Sequence, residues 1–272
     1  MSAAQTSLPT GSGTESQPMQ SQRNASTNSR KKQEKGQKKQ GPKQGGGQQS
    51  TKLRGLERDS PAVRLSKTIS WLLRHGAKNE RLPMRPDGYV KVKDLMENLK
   101  GKGQDIDFSG LQELVKADSK KRYDLKEDSG DWWIRANQGH SMEAVKLELQ
   151  PVLSLKDIPT GVAVHGTTRQ AWKLIAQEGL SKMTRNHIHF AQGIPGNGVI
   201  SGMRSSSQIL IFLDVPKALD AGIKFFLSDN GVVLSEGQDG LILPDFFLNV
   251  QDVDGKEISG WKTAIQPPSS AT

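Results

Sequence analysis

An α+β fold in two lobes is predicted from three features of the sequence. Apolar residues recur at helical spacing between 61 and 145 and finish in a hairpin pattern. From about 146 they fall into short strands separated by glycine-rich links, and residues 1–60 hold almost nothing a core could use. Three helices followed by a hairpin predict a winged-helix first lobe; the second reads as a mixed α/β lobe around a short, split sheet. The expected organisation is a basic disordered tail over 1–60, a first lobe over 61–145, a second over 146–262 and a frayed end over 263–272.

The first element expected is a helix near 62–75. Leu65, Ile69, Leu72 and Leu73 share one face of it, and Gly76 is placed to end it as a left-handed cap. Pro86-Asp87-Gly88 marks a turn before the alternating Tyr89-Val90-Lys91-Val92. Short helices are expected over 93–100 and 109–117. Strands over 121–126 and 132–136 then flank the turn residues Glu127 to Asp131. In the second lobe the expected strands are 161–166, 187–191, 209–215, 231–235 and 240–243, with a helix over 168–178.

Charge is unevenly placed. Of the net +9, residues 1–60 carry +7 and the remainder +2, so an anion site in the body must come from local clustering. The run RKKQEKGQKKQGPK at 30–43 suits a nuclear address or a nucleic-acid arm, or serves only as a solubilising tail. With no cysteine in 272 residues, disulfides, thiolate zinc sites and cysteine nucleophiles are excluded. No apolar stretch has the length of a membrane span and no signal-peptide core is present, so a monomer in the cytoplasm or nucleus is expected, with no membrane partner.

Four places carry the chemistry. Arg74-His75-Gly76 closes the first helix; cations there either complement the helix dipole or join other cations around an anion. IRANQGHS at 134–141 gathers Arg135, Asn137, Gln138, His140 and Ser141 beside Gly139, a donor set suited to oxyanions, or else a polar turn. His165-Gly166-Thr167 ends a strand and opens onto a helix. A glycine there allows a ligand close to the backbone, and the helix N-terminus offers N–H groups to a pyrophosphate; an ordinary capped turn has the same pattern. The stretch 185–208 holds Arg185, His187, His189, the loop from Gly193 to Gly198, and Arg204 among small polar residues. His187 and His189 are two apart and share a strand face, yet no acidic residue or third histidine is placed beside them, so no metal is expected. All five histidines of the chain fall in these four places.

The ordered set of motifs resembles the RNA 2'-phosphotransferase family over roughly 64–250. It comprises LSKTISWLLRHGA at 65–77, LPMRPDGYVKVKDL at 82–95, KKRYDL at 120–125, IRANQGHS, VHGT at 164–167, HIHFA at 187–191 and GVISGMRSSSQILIFLDV at 198–215. The resemblance implies an N-terminal winged-helix lobe and a C-terminal ADP-ribosyltransferase-like lobe that binds NAD, consumed as co-substrate. The implied substrate is tRNA bearing a splice-junction 2'-phosphate. That phosphate attacks the nicotinamide-bearing ribose carbon and nicotinamide leaves. The ribose 2''-hydroxyl then attacks phosphorus, releasing 2'-hydroxyl RNA and ADP-ribose 1'',2''-cyclic phosphate. By motif position the resemblance places Arg74, His75, Arg135 and Arg204 on the phosphate, with His140 and Ser141 beside them. His165, Gly166, Thr167 and His189 fall on NAD. A phosphate is already an anionic nucleophile, so no carboxylate base is required, and forked arginines suit the charge that gathers at phosphorus. Two alternatives stand beside this reading. One is an ADP-ribosyltransferase that caps phosphorylated nucleic-acid ends; the other is a winged-helix RNA-binding protein without turnover.

Overall fold

A computed structural model describes residues 55–56, 58–194 and 201–261. Most of the basic tail, part of the loop from Gly193 to Gly198 and the frayed end fall outside these residues. Order begins slightly before the expected boundary at 61. Asp59 accepts hydrogen bonds from the Leu56 amide and Lys67 Nζ, both 2.7 Å, and Ser60 caps the first helix with Pro61 at its first turn.

Helix α1 (Pro61–Trp71) buries Ile69 and Trp71, and the chain continues into a wider π turn, Leu72–Gly76, that buries Leu72 and Leu73. Gly76 is not the left-handed cap expected of it. A Cβ at Gly76 would lie 2.6–2.7 Å from the Trp71 ring, so glycine is required there by the indole folded against it. Strand β1 (Val90–Lys91) leads into α2 (Val92–Lys100), which buries Val92, Leu95 and Leu99 at helical spacing. Asp107 caps α3 (Phe108–Ala117). The hairpin of β2 (Tyr123–Asp128) and β3 (Asp131–Ala136) turns at Ser129 and Gly130, both left-handed, and β1 adds to the free side of β3. The helices pack on this sheet through a core that includes Leu72, Leu95, Leu111 and Ile134.

The second half is built from small antiparallel sheets. One has the order β4 (Gln150–Val152), β9 (Phe225–Leu227), β10 (Val233–Ser235), β7 (Ile188–Phe190); another β12 (Phe247–Asp252), β8 (Ile209–Leu213), β5 (Val164–Thr167). A bridge between Val164 and Ala191 joins them, and β6 (Leu180–Ser181) pairs with β11 (Leu241–Ile242). Helix α4 (Arg169–Glu178) follows β5 as expected, capped by Thr168. The strand expected over 209–215 stops at Leu213, because Asp214 caps the short helix α5 (Val215–Asp220). Strands β4, β9 and β12 had no expectation. β4 carries Pro151, which removes a ladder donor, and the others are short apolar runs without periodicity of their own.

Both halves lie in one compact unit. Two asparagines fasten them. Asn186 donates its amide to His140 O (2.9 Å) and Nδ2 to Met142 O and Val145 O; Asn230 Nδ2 reaches Lys120 O (3.1 Å) and Ser201 Oγ (3.2 Å). Among the described residues no helix is long and apolar enough to cross a membrane.

Candidate active site

The π turn sets Arg74 and His75 against the 139–141 segment. Ser141 N donates to Arg74 O (3.0 Å), His75 Nδ1 and Ser141 Oγ lie 2.9 Å apart, and the Arg74 Cδ would stand 3.3 Å from a Cβ on Gly139. Arg74 Nε and Nη2 are buried with no hydrogen-bond partner among the described residues. Burial, then the charges of Arg185 and Arg122, pull the guanidinium down to about 10 despite Tyr123 and Asp118. His75 is pushed down to about 4 by burial, Arg185 and Arg74, so it is neutral at neutral pH. A buried cation with unused donors beside a neutral imidazole is arranged for an anion that has not yet arrived.

Residues 134–141 divide into different roles. His140 is 3% exposed, neither ring nitrogen has a partner, and burial followed by Arg74, His75, Arg135 and His187 takes it down to about 3. Arg135 does not join Arg74. Its Nη2 meets Asp229 Oδ2 at 2.7 Å, its Nε lies 3.5 Å from Asp124, and its guanidinium stacks 4.7 Å from the centre of the Tyr89 ring, whose hydroxyl donates to Asp124. This is one rung of a ladder on the outer face of the sheet. Arg85 stacks on Trp133 and pairs with Asp87 and Asp128, and Lys91 pairs with Asp131. The fork expected to hold phosphate is filled by carboxylates and an aromatic face.

On β5, His165 Nδ1 donates to His189 O (3.0 Å), which leaves Nε2 of the neutral ring as an acceptor. Burial lowers His165, and Arg185 and Arg204 lower it further. His189 Nε2 is buried without a partner, and burial with the charges of Arg185 and Arg74 keeps the ring neutral. Gly166 makes its close approach within the chain: a Cβ there would meet Met203 Cγ and Ser207 Oγ at 2.5 Å. Thr167 O accepts from Gln208 N (2.7 Å). The start of α4 is not open to a pyrophosphate as expected, because Thr168 Oγ1 takes the Ala171 amide and Gln208 Oε1 the Arg169 amide. Gly166→Val should therefore unfold the 203–207 contact before it affects any ligand. A loss of about 1–3 kcal/mol, read as a fall of several degrees in Tm, is expected, with partial recovery on adding Met203→Ala; an unchanged Tm would contradict it.

His187 lies just outside β7 and, unlike His189, is only half-buried; its Nε2 is 4.0 Å from Glu236. Among the described residues no group of three His, Asp or Glu is placed to hold a metal ion. Arg204 is exposed, and its charge reaches His165 and Arg185.

Two residues gain importance only in three dimensions. Arg185 is half-buried, has no partner among the described residues, and its charge bears on Arg74, His75, His165 and His189 together. Its neighbour Asn186 pins it beside the 140–145 segment of the first lobe. Arg122, paired with Asp118, flanks Arg74 from β2's approach. The available signals were an arginine two residues before His187 and the KKRYDL motif. A groove of about 520 Å³ lined by Lys91, Met96, Phe108 and Trp132 lies elsewhere on the first lobe and contains none of these groups.

Stability should fall on acidification. All five histidines are held below their ordinary value, so the unfolded chain takes up protons first. Their contribution is complete above pH 6.5 and lost as pH falls toward the folded values. For His140 alone the loss by about pH 4.5 is ~3 kcal/mol. Urea unfolding across this range measures it; a flat profile would be inconsistent with buried neutral imidazoles.

A model of the family described as "RNA 2'-phosphotransferase, Tpt1 / KptA family" matches residues 60–237, a span that includes every group above. The chain is 41% identical over 197 residues to the Danio rerio protein named tRNA 2'-phosphotransferase 1, covering 71% of this chain and 87% of that one. It is 42% identical over 212 residues to the Homo sapiens protein of the same name, covering 75% and 83%. Against the Schizosaccharomyces pombe protein named putative tRNA 2'-phosphotransferase it is 41% identical over 195 residues, 71% of this chain but 52% of that relative, about half its length.

Proposed function

Because the chain belongs to the RNA 2'-phosphotransferase, Tpt1 / KptA family, we propose that it removes the splice-junction 2'-phosphate from tRNA, in the cytoplasm or nucleus, with NAD as consumed co-substrate. The observation that carries this reading is the buried Arg74 guanidinium, with two unused donor atoms, facing a neutral His75 and the unpaired Arg185. Three helices and a hairpin in the first lobe suit a winged-helix RNA module, and the split sheets of the second suit an ADP-ribosyltransferase-like lobe. NAD fits the donor set at the second lobe's edge: the unpartnered His189 Nε2, the free acceptor of His165 and the cation Arg204, with no carboxylate hydrogen-bonded among them. When bound, NAD supplies an ADP-ribosyl group whose leaving group is nicotinamide.

The protein's own groups then act in two stages. Arg74 and Arg185 hold the RNA 2'-phosphate and orient one oxygen for attack, which needs position rather than a base. In the second stage a ribose hydroxyl displaces the RNA 2'-oxygen at phosphorus. The same guanidinium groups stabilise the charge on the equatorial oxygens, and His75, neutral beforehand, accepts the hydroxyl proton. Arg135 supports this site from outside it and Arg204 stands at its rim. The test is to incubate the protein with NAD and a 2'-phosphorylated oligonucleotide in excess chelator. Nicotinamide, 2'-hydroxyl RNA and ADP-ribose 1'',2''-cyclic phosphate are expected. ADP-ribose retained on the RNA would favour an end-capping transferase, RNA binding without nicotinamide release a binding protein, and rescue by a divalent ion would overturn the metal-free reading.

A further inference from the structure

We propose that Asp229 is a specificity residue: it neutralises Arg135 at the edge of the site, so that ordinary RNA phosphodiesters find no free arginine there. The inference rests on the phosphotransferase reading. Asp229 stands on the turn between β9 and β10 in the second lobe, and its side chain is 57% exposed. Arg135 belongs to β3 in the first lobe with only 12% of its side chain exposed, yet the two meet at 2.7 Å. Theirs is the one ion pair among the described residues that crosses between the lobes. The turn is held for the purpose. Ser228 Oγ bonds Asn230 Oδ1 (2.9 Å), Asn230 Nδ2 bonds Lys120 O and Ser201 Oγ, and Gln192 Nε2 bonds Gly231 O (2.8 Å). Only Asp229 projects from this clamp, and it projects onto the arginine.

Charge explains the arrangement. The substrate offers one 2'-phosphomonoester among many phosphodiesters, each carrying a negative charge. Arg74 and Arg185, recessed and without carboxylate partners, form the contact that a monoester on a flexible stem can reach. An unneutralised Arg135 beside them would bind backbone phosphates of any RNA and hold it out of register. With Asp229 and Asp124 on its fork it has no net attraction to offer.

The test compares binding of two otherwise identical oligonucleotides, with and without the 2'-phosphate, to the full chain and to Asp229→Asn, without NAD and across a range of salt. The amide keeps an acceptor for Arg135 while removing its neutralising charge. Asp229→Asn is expected to bind the unphosphorylated RNA several-fold more tightly, with a salt slope steeper by about 0.7, one added phosphate contact. The preference for the 2'-phosphate should shrink accordingly, Asp229→Glu should behave as the parent, and Arg135→Gln added to Asp229→Asn should restore the parent slope. Unchanged or weaker binding of unphosphorylated RNA by Asp229→Asn would overturn the proposal and leave only a fastening between lobes. Failure of the parent protein to prefer the 2'-phosphate would instead count against the phosphotransferase reading.

Discussion

Arg74→Met is expected to raise the melting temperature of the free protein while abolishing turnover. Two guanidinium nitrogens of Arg74 are buried with no partner among the described residues, and burial has already pulled the group down to about 10. The charged form is therefore penalised in the folded chain, and at neutral pH that penalty is fully present because the arginine stays protonated. A methionine of similar length removes the charge and keeps the packing against Gly139. Replacing a buried, uncompensated ion by an apolar side chain stabilises by about 1–4 kcal/mol, several degrees in Tm for a chain of this size. Activity should fall by at least the 10²–10³ typical of one lost oxyanion donor. Thermal unfolding of the free variant and nicotinamide release measure the two halves. A lower Tm would mean that Arg74 is compensated before substrate binds.

Arg185→Ala should separate the two stages. Expelling nicotinamide depends mainly on placing the phosphate, which Arg74 can still do, whereas displacement at phosphorus needs converging donors for the charge on its oxygens. A single-turnover reaction should accumulate RNA bearing 2'-phospho-ADP-ribose, with the second stage slowed by roughly 10²–10³. Arg185→Lys should recover only part of the rate, since a point charge lacks the fork. Arg135→Ala, which removes a group already satisfied by Asp124 and Asp229, should slow both stages by less than about tenfold, as loss of an exposed pair implies. Equal slowing of both stages by Arg185→Ala, without the intermediate, would reduce that residue to a binding contact.

The sequence by itself determined what short-range chemistry controls. Helical spacing in α1 and α2, the two-residue turn at Ser129-Gly130, the capping Thr168 and the helix after β5 follow from side chains within four residues of one another, and the structure has each of them. The motifs also gathered the site's histidines and Arg74 correctly into one chain segment order. Only the tertiary structure decided how those residues are used. Gly76 answers to the Trp71 indole folded back on it rather than to a cap. Gly166 answers to Met203, 37 residues on, and Arg135 to Asp229, 94 residues away. Arg185 becomes central because Asn186 pins it to a segment forty-odd residues earlier. The reason is physical: propensity and capping act through neighbours in sequence, whereas desolvation and ion pairing act through neighbours in space, and those exist only once the two lobes have packed.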